Sequence, residues 1–226
     1  MTPERYARLR AVLDRRQPDL TIITDNVHKG RNLSAIVRTA DAAGIAEMHA
    51  VIDDKDYKAF RGTAMGSHSW VDVQRHPNIT TLIQQQQAAG YQVLAAHLDA
   101  DSVDYRQPDY TRPTAVLLGA EKRGVSAEAC ALADAHITIP MMGMVQSYNV
   151  SVAAGIILSE AQRQRAEAGM YDQPRLAPAV YQRILFEWAH PHIRDFCQER
   201  GLEYPALGED GEIVDAPAWY QRVREG

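Results

Sequence analysis

The stretch IPMMGMVQSYNVSVAAG, residues 139–155, holds a strand end, a loop and the start of a helix. The apolar run HITIP stops at a proline, and a helix is predicted to begin near Ser147. Ser147 and Asn149 stand at this helix start, where Ser and Asn side chains accept hydrogen bonds from the free N–H groups of a first turn. The two residues are therefore either helix caps or the lining of a ligand site. Considered alone, the stretch favours capping.

The same strand–loop–helix pattern recurs along most of the chain. Short apolar strands, beginning with LTIIT at 20–24, alternate with helices up to the long helix predicted over 149–169. Continuous apolar strands that alternate with helices predict an α/β fold with a mostly parallel sheet and helices on both faces.

The two ends of the chain have a different pattern. The segment TPERYARLRAVLDRRQP predicts one basic helix, and short helices with a loop-rich tail follow the long apolar helix. We predict three parts: an amino-terminal basic helix (1–18), a central domain (19–168) and a carboxyl-terminal helical and loop extension (169–226).

Composition excludes several classes of protein. The chain has 226 residues, 46% of them hydrophobic, which is ordinary for a globular protein with a full core. The first residues are charged and contain no apolar signal region, and the run VSVAAGIIL is too short to span a bilayer. The two cysteines are far apart and form no CxxC motif. The sequence predicts a cytoplasmic protein with no membrane association.

Charge is unevenly distributed along the chain. The formal net charge is −5, which argues against a surface covered with basic residues. Residues 1–38, however, hold eight basic and four acidic residues and carry +4, so the remainder carries −9. A basic amino-terminal segment on an acidic body predicts a contact with a polyanion, although a solvated helix face is the commoner explanation.

Three loops of unusual composition follow predicted strand ends. They are DNVHKGRN (25–32), GAEKRGVS (119–126) and MMGMVQSYN (141–149). Ligands of open α/β sheets bind beyond the carboxyl ends of the strands, so these loops predict one shared site.

Familiar nucleotide motifs are missing or incomplete in these loops. The sequence contains no G-x-G-x-x-G, and GAEKRGVS has Val125 where a phosphate loop needs its lysine. The HPH triplet at 190–192 is more typical of surface or packing residues than of a metal site. Composition and spacing leave open an α/β enzyme of unknown chemistry and an RNA- or protein-binding module.

Taken together, the three loops resemble the signature motifs of SpoU-type 2′-O-ribose methyltransferases in the SPOUT superfamily. The residues that carry the resemblance are NLSAIVRTADAAG, LLGAEKRGVS and IPMMGMVQSYNVSVAA, in that order. RYARLRAVLDRRQPDLT, VDYRQPDYTRPTAVLLG and EAQRQRAEAGMY resemble the members that modify the D-loop guanosine at tRNA position 18. The resemblance extends over nearly the whole chain and is weakest in about the last 25 residues.

The resemblance implies a fold and a cofactor. It implies a trefoil knot in the carboxyl half of the catalytic domain, a homodimer, and S-adenosylmethionine as the methyl donor without a metal. It also implies that the loop after the IPM strand holds the cofactor. The cofactor-binding residues implied in this way are His97, Gly119, Ile139, Met144, Ser147 and Asn149.

Catalytic and RNA-contacting residues follow from the same resemblance. The catalytic set is Arg38, Asn32, Glu121, Ser147 and Asn149. We expect Arg38 to stabilise the alkoxide that develops on the ribose, since arginine is always protonated. On a continuous helix Arg8 and Arg15 would share a face. The RNA-contacting set is Arg8, Arg15, Arg16, Lys29, Arg163 and Arg165.

The predicted activity is 2′-O-methylation of the D-loop guanosine of tRNA. Two alternatives remain open at this point: 2′-O-methylation of another RNA target, either rRNA or a tRNA wobble nucleotide, and an inactive RNA-binding relative.

Overall fold

The structure is a computed structural model that describes residues 1–52 and 69–225. The chain forms two compact units, one of residues 17–171 and one of residues 1–16 together with 172–226. The predicted central domain also includes residues 53–68, which lie outside the described part of the chain.

Helices and strands alternate through most of the described sequence. The helices are α1 (Pro3–Leu13), α2 (Gly30–Ala42), α3 (Ile79–Ala88), α4 (Ala127–Leu132), α5 (Val150–Glu167), α6 (Pro178–Ala189), α7 (Pro191–Arg200) and α8 (Ala216–Glu225). The strands are β1 (Leu20–Asp25), β2 (Glu47–Val51), β3 (Asp72–His76), β4 (Gln92–Ala96), β5 (Val103–Asp104), β6 (Thr114–Gly119) and β7 (Ala135–Thr138). The two-residue strand β5 has no counterpart in the sequence prediction.

The strands form one sheet in the order β3-β2-β1-β6-β4-β7-β5, and every described pair is parallel. Every residue of β1 and β6 is buried, which explains why both sequences are mainly apolar. Asp25 pairs in register with Gly119, so the loops after β1 and β6 leave the sheet side by side.

Both faces of the sheet are covered. On β1, Ile22 belongs to a core cluster with α2 and α5, whereas the next residue, Ile23, belongs to a cluster with α3 and α4. Successive side chains of a strand point to opposite faces, so the two clusters lie on opposite sides of the sheet. The predicted α/β fold with a parallel sheet and helices on both faces is confirmed.

The first helix is shorter than the sequence predicted. Helix α1 ends at Leu13, and Gln17 donates its backbone N–H to Gly44 O at 2.8 Å beside β2. Pro18 follows and cannot continue a helix. The prediction that Arg8 and Arg15 share a helix face is therefore wrong, because Arg15 lies beyond the helix end.

The smaller unit is helical. Tyr6, Leu9 and Leu13 form the buried side of α1, and Tyr181 of α6 donates its hydroxyl to Asp14 Oδ1 at 2.9 Å. The tail predicted to be loop-rich contains α8, whose Trp219 is only 7% exposed. The sequence did not predict this helix, because Pro205, Gly208 and Gly211 precede it and Pro217 lies in its first turn.

Candidate active site

A cleft of about 710 Å³ lies at the carboxyl ends of β4, β6 and β7. This edge of a parallel sheet is where ligands bind in open α/β folds. The lining comes mainly from residues 96–98, 118–124, 137–139 and 146–150, with Lys29 from the loop after β1. The structure therefore brings together the three loops that the sequence singled out.

The loop after β6 is closed on itself. Ala120 N–H donates to Gly124 O at 3.0 Å, and Gly124 N–H donates to Ala120 O at 2.8 Å. Gly119 lies so close to the returning chain that an added Cβ would be 2.0 Å from the carbonyl carbon of Gly124. Gly124 itself has φ +68°, a conformation that glycine adopts without strain. The close backbone contact at Gly119 and the positive φ at Gly124 thus account for the two glycines.

Asp25 fixes this loop to the end of β1. Its side chain is 2% exposed, and Oδ2 accepts the backbone N–H of Ser126 at 2.9 Å while Oδ1 accepts Asn26 Nδ2 at 2.8 Å. Sequence reasoning did not assign Asp25 a role. The sequence feature that could have indicated a role is the carboxylate at the end of LTIITD, a strand whose other residues are apolar or threonine.

Hydrogen bonds connect one side chain from each of the three motifs. Asn32 Nδ2 donates to Glu121 Oε1 at 2.7 Å, and Lys29 backbone N–H donates to the same oxygen at 3.3 Å. Asn149 Nδ2 donates to Asn32 Oδ1 at 3.2 Å. Asn149 Oδ1 accepts from the backbone N–H of Ser151 at 2.9 Å, which makes Asn149 the cap of α5. Asn149 is therefore a helix cap through its oxygen, and its amide group is hydrogen-bonded to Asn32. Its role in a ligand site stays a prediction.

Glu121 is the carboxylate at one end of this series of hydrogen bonds. Burial acts to raise its pKa, but hydrogen bonds from its own backbone, from Asn32 and from Lys29 outweigh burial, so the pKa lies below the ordinary value. Glu121 is therefore a carboxylate at neutral pH. Its second oxygen, Oε2, is buried and accepts no hydrogen bond from a described residue. That oxygen has spare capacity for a ligand or a water molecule.

Most residues predicted to hold the cofactor line the cleft. His97, Gly119, Ile139, Ser147 and Asn149 are all among its walls. Ser147 makes no hydrogen bond with any residue in the described ranges and caps no helix.

Two predicted site residues lie outside the cleft walls. Met144 is 98% exposed and does not line the cleft, whereas Met141 of the same loop does. Arg38 is exposed on α2, six residues after Asn32, and forms no hydrogen bond or ion pair within the described part of the chain.

A histidine pair supports the loop after β4. His136 contacts Asp99 in an ion pair, and its Nε2 lies 3.0 Å from Cys130 O. The Cys130 carbonyl, followed by Asp99, raises the pKa of His136 against the effect of burial. The ring of His97 lies edge-on to that of His136 with a centroid distance of 5.5 Å. The His136 ring thus packs against His97, which lines the cleft.

Two of the arginines predicted to contact RNA are buried. Arg165 has no exposed side-chain surface and pairs with Asp19 at 2.6 Å between Nη1 and Oδ1. Arg16 is also fully buried, with its guanidinium 5.1 Å from the ring centroid of Trp188. Neither side chain can reach a phosphate, so both predictions are wrong. Helix periodicity could not place Arg16, since α1 ends before it.

The other predicted RNA contacts are exposed. Arg8 and Arg15 are exposed in the helical unit, and Lys29 is exposed on the cleft wall. Arg163 is exposed as well, but it pairs with Glu160 at 2.7 Å and with Glu167 at 2.6 Å on its own helix.

Within residues 1–52 and 69–225, no group of three or more His, Cys, Asp or Glu residues is arranged to hold a metal ion. No helix in these ranges combines the length and the apolar character that crossing a bilayer requires.

Comparison with known proteins identifies the family of this fold and cleft. Residues 19–159 match the SpoU rRNA methylase family, and residues 163–216 match the SpoU rRNA methylase carboxyl-terminal family. The first match contains all three loops and every strand of the sheet.

Individual relatives are similar over most of their length. A tRNA (guanosine(18)-2′-O)-methyltransferase of Escherichia coli K12 is 50% identical over 222 residues, which cover 97% of both chains. A crystal structure of an A. aeolicus TrmH/SpoU tRNA modifying enzyme has 45% identity and a TM-score of 0.78 over 84% of this chain and 97% of that one. An AdoMet-bound rRNA methyltransferase from Sinorhizobium meliloti has 38% identity and a TM-score of 0.58 over 69% of this chain and 59% of that one.

Proposed function

The chain belongs to the SpoU rRNA methylase family, and from that premise we propose that it methylates the 2′-hydroxyl of the D-loop guanosine at tRNA position 18. The observation that carries this proposal is the hydrogen-bonded chain from Glu121 through Asn32 to Asn149, which joins all three motifs beside the cleft. The substrate follows from the E. coli relative of that activity, which is similar over 97% of each chain.

The cleft suits S-adenosylmethionine as the methyl donor. Its volume of about 710 Å³ falls within the usual range for sites of small ligands. Backbone groups of Gly119 and Ile139 and the side chains of His97 and Ser147 would hold the cofactor, which supplies an already activated methyl group. Leu118 and Ile157 give the cleft apolar walls on one part of its surface. A fairly dry pocket suits a sulfonium methyl donor.

The residues around the cleft supply positioning and charge. Asn149 and Asn32 are fixed by their mutual hydrogen bond, so both are preorganised before RNA binds. Glu121 Oε2, which has no hydrogen-bond partner among the described residues, is available to accept a hydrogen bond from the target nucleotide. We assign to Arg38 the stabilisation of the alkoxide that forms as the 2′-hydroxyl loses its proton to water or a phosphate.

Methyl transfer to defined RNA tests this function. Purified chain, labelled S-adenosylmethionine and an unmodified tRNA transcript should yield 2′-O-methylguanosine at position 18, identified by mass spectrometry of the digested RNA. A transcript with 2′-deoxyguanosine at position 18 should accept no methyl group. Methylation of rRNA or of the wobble nucleotide instead, or cofactor and RNA binding without any methylation, would contradict the proposal.

Substitution of Arg38 tests its role. Arg38→Ala should reduce kcat by roughly 10² to 10³, the usual effect of removing a group that stabilises developing oxyanion charge. Affinity for S-adenosylmethionine should stay unchanged because Arg38 does not line the cleft. Arg38→Lys should also be impaired, since a point charge does not reproduce the planar fork. Near-normal turnover of the lysine variant would exclude this role.

We propose that the helical unit of residues 1–16 and 172–226 contacts the tRNA. Its exposed arginines include Arg8 and Arg15. Each lost phosphate contact lowers the slope of log affinity against log salt by about 0.7 to 0.9. Arg8→Ala combined with Arg15→Ala should therefore weaken tRNA binding and flatten its salt dependence, with cofactor affinity unchanged. An unaltered salt slope would show that Arg8 and Arg15 do not contact the tRNA phosphates.

We also propose a homodimer, a trefoil knot and a cytoplasmic location, as family membership implies. Support for the dimer comes from an exposed apolar segment: Met142, Met144, Val145, Tyr148 and Val152 are between 43% and 98% exposed. Clustered exposed apolar side chains mark interaction surfaces. Light scattering should give twice the chain mass of 25.2 kDa. Val145→Asp with Val152→Asp should give the monomer, and a monomeric wild type would exclude the dimer.

A further inference from the structure

We propose that Lys122 and Arg123, together with Lys29, form a phosphate-binding rim that holds the RNA backbone next to the target ribose. This inference rests on the proposed function and adds a site to it. Only Lys29 stood among the residues predicted from the sequence to contact RNA. All three residues are exposed, and all three line the cleft.

The backbone beneath Lys122 and Arg123 is held in place. Both residues belong to the closed loop whose ends, Ala120 and Gly124, exchange two backbone hydrogen bonds. Asp25 anchors the chain just after the loop through the backbone N–H of Ser126. A short closed loop presents its two charges in a fixed place, so little backbone entropy is lost when a ligand binds.

Lys29 is hydrogen-bonded to the acid that precedes Lys122 in the sequence. Its backbone N–H donates to Glu121 Oε1 at 3.3 Å, and Glu121 directly precedes Lys122 in the closed loop. The loop after β1 and the loop after β6 therefore present the three rim cations at one end of the cleft. This end is next to the hydrogen bond between Asn32 and Glu121.

The rim cations differ from several exposed arginines, which have an acidic partner. Arg106, Arg163 and Arg183 each form an ion pair with a neighbouring acid. Within the described part of the chain, neither Lys29, Lys122 nor Arg123 forms an ion pair. Glu121 is the acid beside them, and its Oε1 already accepts two hydrogen bonds. The rim therefore carries a local positive excess in a protein of net charge −5.

This positive excess matches RNA better than it matches the cofactor. S-adenosylmethionine carries a sulfonium, an ammonium and one carboxylate, so three nearby cations repel its net charge. RNA carries one negative charge per nucleotide, and each phosphate bound by Lys or Arg adds affinity through counterion release. The rim would thus favour the nucleotide chain around the target guanosine over the guanosine alone.

Paired double variants test the rim. Lys122→Gln with Arg123→Gln removes two rim charges. Arg106→Gln with Arg112→Gln removes two charges from exposed residues that do not line the cleft. Affinity for an unmodified tRNA transcript is measured across a salt series for both variants and the wild type, together with affinity for S-adenosylmethionine and with kcat and KM for the tRNA.

The rim variant should show a salt slope smaller than that of the wild type by about 1.4 to 1.8, which corresponds to two phosphate contacts. Its KM for tRNA should rise, and its affinity for S-adenosylmethionine should stay unchanged. The control variant should keep the wild-type slope. An unchanged slope in the rim variant would overturn the proposal, and so would a loss of cofactor affinity, which would assign the rim to the cofactor carboxylate.

A second probe needs no protein variant. Neutral methylphosphonates that replace the phosphates on either side of guanosine 18 should lower the salt slope of the wild-type protein, whereas the same replacement in the anticodon stem should not. Equal salt slopes of binding for the two modified RNAs would overturn the proposal that the rim binds phosphates. Absence of any methylation of guanosine 18 by the wild type would instead contradict the proposed function, so the two failures are distinguishable.

Discussion

The two edges of the parallel sheet both carry hydrogen-bonded charged groups, but they use them differently. At the amino edge, Arg165 is fully buried, and its guanidinium makes five hydrogen bonds to Asp19, Gln17 and the carbonyls of Tyr110 and Arg112. An arginine has five N–H donors, so the Arg165 guanidinium has no donor left for a ligand.

At the carboxyl edge the groups keep spare capacity. Among the described residues, Glu121 Oε2 has no hydrogen-bond partner and Ser147 makes no hydrogen bond. Charge type alone therefore does not separate a residue with structural partners from a residue that can bind a ligand. We expect spare hydrogen-bonding capacity next to a cleft to mark the second kind.

The largest expected effect is at the amino edge. Arg165→Ala leaves Asp19 without its buried partner and should lower the free energy of unfolding by about 3 to 5 kcal/mol, measured by urea denaturation. Arg163→Ala is the matched control, since this exposed arginine two residues earlier has only surface ion pairs and should cost about 1 kcal/mol or less. Equal losses of stability in the two variants would show that the buried hydrogen bonds of Arg165 contribute no more than the surface ion pairs of Arg163.

The next effect is at the carboxyl edge. Gly119→Ala places a Cβ 2.0 Å from the backbone of Gly124, so the closed loop must open. Overpacking of this kind costs about 1 to 3 kcal/mol, and methyl transfer should be largely lost because the loop carries Glu121. Gly143→Ala meets nothing within 4 Å and should leave the free energy of unfolding unchanged. A fully active Gly119→Ala protein would show that the loop geometry is dispensable.

A smaller effect on stability separates capping from function. Asn149→Ala and Asn78→Ala each remove an Asn cap, on α5 and α3, and each should cost about 1 kcal/mol of stability. Only the Asn149 variant should lose methyl transfer, because only Asn149 also holds Asn32. If both variants melt slightly earlier and methylate normally, Asn149 is a cap alone.

The smallest effect concerns pH. The pKa of Glu121 is lower in the folded chain than its ordinary value of 4.5, so its contribution to stability is present above that value and is lost as pH falls through the folded pKa. Glu121→Gln should therefore be less stable than the wild type at pH 7, and the difference should shrink in acid. The exposed Glu128→Gln serves as control. A difference that stays constant between pH 7 and pH 3 would contradict the hydrogen-bonded carboxylate.

Sequence alone was informative where local patterns decide the outcome. The strand predicted at 20–24 is observed at Leu20–Asp25, because a strand buried on both faces has a mainly apolar sequence. The family resemblance supplied the candidate site, and the structure confirms that its three loops meet at one edge of the sheet.

Tertiary structure decided what depends on residues far apart in the chain. The buried state of Arg165 requires Asp19, which is 146 residues away, and the contact between Asn149 and Asn32 spans 117 residues. Periodicity assigns a residue to a helix face, but it does not reveal what packs against that face or where the helix ends. For this reason the sequence could determine the α/β fold and the motif residues, whereas only the folded chain showed which charged groups already have partners and which are free to bind a ligand.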